Sequence, residues 1–317
     1  MKPLAKLFAL VVLICLTSCG KDDEVVPEKI YNGHLYLDTQ AEVDEFGKLN
    51  YTRVEGELIL FGDNITDISS LKGITYVKSK LAIIGTQVKN IDALSTLNIE
   101  ENSTVEIFAN NSLENLNGLA GITAGLSLLS ISKSPSIKNI DGLRNIKSIS
   151  NRLEIYDTEY LANLNGLKNI GGTINSVAIH NNSGLTDLSG LSRVSTIKSL
   201  IITANPKLKS LNGLTGLKET DSFYLSSNQA LENLNALSNL ETSLYLVIRK
   251  NDKLTNLDGL GKLRKVETGG LAINENKSLR NFCGLTILSS YNIVVLELWG
   301  NYYNPTEEDI KNGKCSI

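Results

Sequence analysis

Two histidines and four cysteines are nearly all that this chain of 317 residues offers to conventional catalysis. His34 and His180 are far apart in the chain, and no Cys-x-x-Cys, His-Glu-x-x-His or glycine-rich phosphate loop accompanies them. General acid–base catalysis and metal binding each need several such groups brought to one place. The reading is therefore of a non-enzymatic protein with no catalytic residue, no metal ligand set and no cofactor.

The cysteines point to attachment instead. Lys2 and Lys6 precede an apolar run over residues 7–16 that is too short to span a bilayer, and Leu16-Thr17-Ser18-Cys19 closes it with small residues before a thiol. Residues 1–18 read as an export signal whose ending resembles the lipobox of bacterial lipoproteins. That resemblance implies cleavage before Cys19 and lipidation of this residue, with several acyl chains giving stable anchoring where one would not. Residues 19–30 are the lipidated cysteine and a charged tether broken by Pro27, and the Lys21-Asp22-Asp23-Glu24 run resembles the signal that sends Bacteroidota lipoproteins to the exterior of the outer membrane. A periplasm-facing spacer is the alternative. Cys15 leaves with the signal, so Cys283 and Cys315 remain as an even pair in an exported chain. A disulfide between them is expected, worth ~3 kcal/mol in the chain-entropy model, with two free thiols as the alternative.

Residues 31–317 read as a single domain because they repeat. The residue opening an L-x-G-L corner recurs at Ile68, Ile91, Leu116, Ile140, Leu164, Leu188, Leu211, Leu234, Leu257 and Phe282, at intervals of 23 to 25 residues. Each corner follows a strand with two apolar residues two apart, from Leu58 and Leu60 to Leu296 and Leu298. A period of two giving way to a period of three predicts a solenoid of about eleven turns with one long parallel sheet. Residues 31–55 form an N-terminal cap: His34 to Leu37 alternate as a strand, Thr39-Gln40-Ala41-Glu42 is a capping box, and Gly47 ends a short helix carrying Val43 and Phe46. Residues 56–301 are the repeats, and residues 302–317 form a C-terminal cap with one helical turn after Thr306. The corner glycines, such as Gly118 and Gly142, read as a demand for small size, since Ala93 and Ala236 replace them.

Stacking makes columns the units of meaning. Three residues after the second inward position lie Asp63, Thr86, Asn110, Ser134, Thr158, Asn182, Asn205, Asn228, Asn251, Asn276 and Asn301, a structural ladder satisfying corner backbone groups. One outward column interleaves Glu106, Glu154 and Glu297 with small and apolar residues, which is not the acidic cluster a calcium-assisted lyase needs. The neighbouring column runs Phe61, Ile84, Phe108, Ser132, Tyr156, His180, Thr203, Ser226, Arg249, Asn274 and Trp299. Phe61, Phe108, Tyr156, His180, Tyr224 and Arg249 are the candidate ligand-binding residues, since rigid aromatic side chains give large contact at low entropic cost. Mutual cover down the stack is the alternative, and Trp299 is assigned to the C-terminal cap.

The L-x-x-L-x-G-L spacing and the Thr39 to Gly47 cap resemble the receptor L domain, in the form found on Bacteroidota surface lipoproteins, over about residues 31–315. The resemblance implies a right-handed parallel β-helix, mainly β, that binds and does not catalyse. An internalin-like leucine-rich repeat is the second architecture. Losing Lys2 and Lys6 takes the formal charge from −3 to −5, which argues against a nucleic-acid partner. The expected partner is a protein or carbohydrate, met by a monomeric, lipid-anchored protein on the outer membrane. A polysaccharide lyase or a structural spacer are the alternatives.

Overall fold

A computed structural model describes residues 28–289 and 296–317; the export signal, Cys19 and most of the tether lie outside the described residues. In chain order the elements are β1 (Ile30–Tyr31), β2 (Leu35–Leu37), α1 (Gln40–Lys48), β3 (Arg53–Val54), β4 (Glu57–Phe61), β5 (Tyr76–Val77), β6 (Lys80–Ile84), β7 (Asn98–Ile99) and β8 (Ser103–Phe108). There follow β9 (Leu126–Ser132), β10 (Ile149–Tyr156), β11 (Gly171–His180), β12 (Arg193–Thr203), β13 (Glu219–Ser226), β14 (Thr242–Arg249) and β15 (Lys265–Asn274). The chain closes with α2 (Thr286–Ser289), β16 (Leu296–Trp299) and α3 (Glu307–Lys311).

One turn of chain per strand builds a 12-stranded parallel sheet from β2, β4, β6 and β8 through β16. The expected registers hold along it: Leu58 lies beside Leu81, Leu81 beside Val105, and Leu271 beside Leu296. The stack begins a turn earlier than the repeat count implied, because Leu35 and Leu37 pair in register with Leu58 and Leu60. A second sheet, β1-β3-β5-β7, was not foreseen. From β10 onward the strands lengthen across a bulge, as at Gly172/Thr173, so one strand serves two faces. The inward residues and the corner leucines form one continuous buried core, as expected when every turn buries its apolar face only against its neighbours. The chain is thus a leucine-rich parallel β-solenoid.

Corners are single 3₁₀ turns, and two devices let them stack. A Cβ added at Gly142 would sit 1.8 Å from the Leu116 carbonyl oxygen, and Gly118, Gly166, Gly190, Gly259 and Gly284 face the same obstruction one turn back. These glycines are required for close approach, with a positive φ only at Gly213. Ala236 stacks on that Gly213 corner, which lacks the 3₁₀ turn of its neighbours. Gly47 belongs to the same logic. The helix does not end there but runs on to Lys48, and a Cβ on Gly47 would meet the Ser70 side chain at 2.4 Å. Thr39 and Glu42 make the reciprocal capping box, Val43 and Phe46 are buried, and N–H groups of Asp38 and Thr39 donating to Glu42 hold its carboxyl below the ordinary range.

The second device is the polar ladder. Thr86, Asn110, Ser134, Thr158 and each ladder asparagine from Asn182 to Asn301 are buried. The Asn205 N–H donates to Asn228 Oδ1 at 3.1 Å, the Asn228 N–H to Asn251 Oδ1 at 3.0 Å, and each amide nitrogen donates backward to a strand carbonyl, as Asn228 does to Ile202 at 3.0 Å. Asp63 does not join: it is exposed, because a carboxylate in that column would lose its hydration without gaining a cation. The residue before each ladder position takes a left-handed conformation, including Ala109, Lys133, Asp157, Asn181, Ala204, Ser227, Lys250 and Glu275. Each such residue costs about 1 kcal/mol or more. The turn aims its N–H at the next strand, as Ala204 donates to the Ser226 carbonyl at 2.9 Å, so the penalty is offset by a bond in every coil.

At the far end Asn301 donates from both nitrogens to Asn304 Oδ1, at 3.1 and 2.9 Å, so Asn304 stands where a further coil would put its amide. Leu296 and Leu298 are only half-buried, as befits a last strand. Thr306 caps α3 in a second capping box, as its position implied. The structure pairs Cys283 with Cys315, with Cα atoms 5.0 Å apart, and the Phe282 N–H donates to the Cys315 carbonyl at 2.8 Å.

Candidate functional site

The outward column is real as geometry. Backbone pairing places Phe61 beside Ile84, Ile84 beside Phe108, Phe108 beside Ser132, Ser132 beside Tyr156 and Tyr156 beside His180. It continues through Thr203, Ser226, Arg249 and Asn274 to Trp299. Four of the six candidate residues, Phe61, Phe108, Tyr156 and His180, thus lie along six consecutive strands, about 24 Å of sheet at 4.8 Å per strand. Tyr224 stands one column over, and it joins Arg249 in a separate group on the C-terminal half. The Arg249 guanidinium lies 5.2 Å from the Tyr224 ring centre and donates to Ser226 Oγ at 3.4 Å.

Ring orientation decides what the N-terminal stripe can do. Tyr156 and His180 stack face to face, 4.6 Å apart and 7° from parallel. At that spacing on adjacent strands the ring faces look along the solenoid and the edges look outward. The Phe108 face carries the Lys133 ammonium 5.3 Å from its centre. Mutual cover is therefore part of the answer, yet exposure persists: Phe61 is 57% exposed, and Phe108, Tyr156 and His180 are half-buried. Between Phe108 and Tyr156, Ser132 is 1% exposed and its hydroxyl has no hydrogen-bond partner among the described residues.

Beside the stripe, the glutamates are neutralised. Glu106 pairs with Lys80 at 2.7 Å and Glu154 with Arg152 at 3.3 Å. No group of three histidine, cysteine, aspartate or glutamate side chains among the described residues could hold a metal ion. His34 lies 3.5 Å from Glu57 at the first strand of the sheet, six strands from His180, too far for shared proton transfer. Trp299 is not buried in the terminal cap: it is 53% exposed at the outward end of β16, because the strand continues the alternation to its last residue.

Two features carried no recognised signal. The left-handed residues are mostly not glycine, and the orphaned Ser132 and Asn274 are polar residues in a column of outward positions, where burial is unexpected. A second column at Asn90, Asn115, Asn139, Asn163 and Asn233 was legible but unread: each side chain accepts from the N–H two residues on, shaping the corner from outside.

No helix among the described residues is long and apolar enough to cross a membrane. No family model and no curated protein matches the chain. Among solved structures it is similar to an internalin of Listeria monocytogenes, with 18% identity over 83% of this chain and 76% of that one at a TM-score of 0.39. It is also similar to a leucine-rich-repeat protein of Leptospira interrogans, with 16% identity over 86% of this chain and 91% of that one at a TM-score of 0.25.

Proposed function

We propose that this chain is a non-enzymatic, lipid-anchored surface protein that binds a protein partner through the N-terminal half of its long sheet. The observation that carries this reading is the in-register stripe of Phe61, Ile84, Phe108, Tyr156 and His180, which keeps apolar edges in water on a scaffold with little entropy to lose. Outward edges and a covered Phe108 face suit the irregular apolar surface of a protein better than a flat sugar platform.

The same reading includes right-handed winding, α1 and the C-terminal segment as lids on the open ends, an oxidised Cys283–Cys315 pair suited to an exported chain, and a monomeric state. It also includes attachment at Cys19, on the outer face of the outer membrane. Replacing Cys19 by alanine is expected to abolish incorporation of labelled palmitate and release the protein from membranes; retention of label would reject the anchor. Protease treatment of intact cells then distinguishes the exterior from the periplasm.

The partner site is tested by the double variant Phe108→Ser/Tyr156→Ser in co-purification from the native cell surface. Losing two apolar anchors should weaken binding by about 3 kcal/mol or more. The fold should lose no more than about 1–2 kcal/mol, chiefly the Tyr156–His180 stack. Undiminished capture of the partner by this variant would remove the stripe from the site.

A further inference from the structure

The C-terminal half of the sheet holds a second unsatisfied group, and its surroundings differ from those of Ser132. Asn274 is 6% exposed, yet its Oδ1 accepts no hydrogen bond among the described residues. A buried amide oxygen without a donor is costly, and a valine or threonine would serve an ordinary strand better. Pairing places Arg249 on one side of it and Trp299 on the other. Both neighbours are exposed, and Trp299, on the edge strand β16, can swing aside to admit a ligand to that oxygen.

Those neighbours are unspent as well. Nearby lysines pair with carboxylates, Lys250 with Glu275 at 3.6 Å and Lys277 with Asp252 at 3.1 Å. Arg249 has no such pair among the described residues; it is propped over Tyr224 and held by Ser226, which fixes its direction without neutralising its charge. Trp299, the single tryptophan of the chain, presents an indole to solvent. Glu297, two residues before it on β16, is the carboxylate of the neighbouring outward column.

We infer that Arg249, Asn274 and Trp299 form a subsite for an acidic saccharide, a pyranose ring bearing a carboxylate. One ring of that class complements all three groups: an anion for the guanidinium, a hydroxyl to donate to Asn274 Oδ1, and a C–H face for the indole. The outer two side chains are two strands apart, about 9–10 Å, a width that suits a sugar ring and is narrow for a protein element. The negative Glu297 sets the polarity, with the sugar carboxylate toward Arg249 and a hydroxyl toward β16. This subsite shares no residue with the Phe108–Tyr156 stripe and stands or falls separately from it.

Because Trp299 is the only tryptophan, its fluorescence in the full-length chain reports occupancy directly. Titration with an oligomer of galacturonic acid should shift or quench the emission saturably, and the fully methyl-esterified oligomer should bind at least about tenfold more weakly for want of the charge-assisted pair. Arg249→Met should lose the response. Asn274→Leu should lose it while raising the melting temperature, since the orphaned oxygen is gone; Arg249→Met, at an exposed position, keeps the proposal testable should Asn274→Leu fold poorly. Phe108→Ser/Tyr156→Ser should respond like the wild type. No response up to about 10 mM oligomer, an equal response to the ester, or an unchanged response in either Arg249→Met or folded Asn274→Leu overturns the assignment.

Discussion

Replacing Asn228 by alanine is expected to cost about 3–5 kcal/mol, more than any truncation of a surface side chain. The amide nitrogen of Asn228 donates to the carbonyls of Ile202 at 3.0 Å and Ser226 at 3.1 Å, and its Oδ1 accepts from the Asn205 N–H at 3.1 Å. All of this is buried, so alanine strands a donor and at least one acceptor where water cannot reach them. Serine should recover part of the loss, because at Ser134 a hydroxyl already accepts from the Asn110 N–H at 3.1 Å and donates to the Ser132 carbonyl at 3.0 Å. Urea titration measures the sum. Hydrogen exchange should localise the damage to the coils around residues 205, 228 and 251, since each coil touches only its neighbours. A loss below about 1 kcal/mol for alanine would mean that the ladder is ornamental.

The second large effect is expected at Gly142. An alanine methyl there would stand 1.8 Å from the Leu116 carbonyl oxygen, and that atom is backbone, held by the stacked corner below. Relief requires the coils to separate, which opens the core on both sides, so a loss of about 3 kcal/mol or more is expected. Gly73 is the control: its added Cβ would find only the Tyr51 oxygen at 3.6 Å, an ordinary contact. Gly73→Ala should change stability by about 0.5 kcal/mol or less, or stabilise through the unfolded chain. Thermal unfolding of the two variants side by side tests the claim that the corner glycines are there for space.

The repeat was legible because leucine spacing and strand alternation report burial directly, and burial is the same in every coil. Column membership followed from counting, so Phe108, Tyr156 and His180 could be placed together without coordinates. Counting failed at Asp63, where the position is equivalent but the charge is not, and the assignment of Trp299 to the C-terminal cap gave way to an exposed place at the end of β16. It was blind to the left-handed turn at Lys133 or Ala204, since those residues have no intrinsic preference for it and accept it only because a neighbouring carbonyl rewards it. The orphaned oxygens were also beyond reach. Whether the Ser132 hydroxyl or the Asn274 oxygen is buried without a partner depends on how neighbouring side chains lie, which is a matter of rotamers, not of order along the chain.

Asn304 has a consequence for how such a molecule changes length. Between Asn182 and Asn276 every coil offers the same bonds above and below, so a duplicated stretch of 23 residues spliced in at one phase would find partners ready on both sides. Beyond Asn301 that invitation is withdrawn, for the socket is already filled by a residue of the same chain. Growth by copying is therefore open in the interior and shut at the tail, and relatives of different size are expected to differ in the number of middle coils while sharing the same last one.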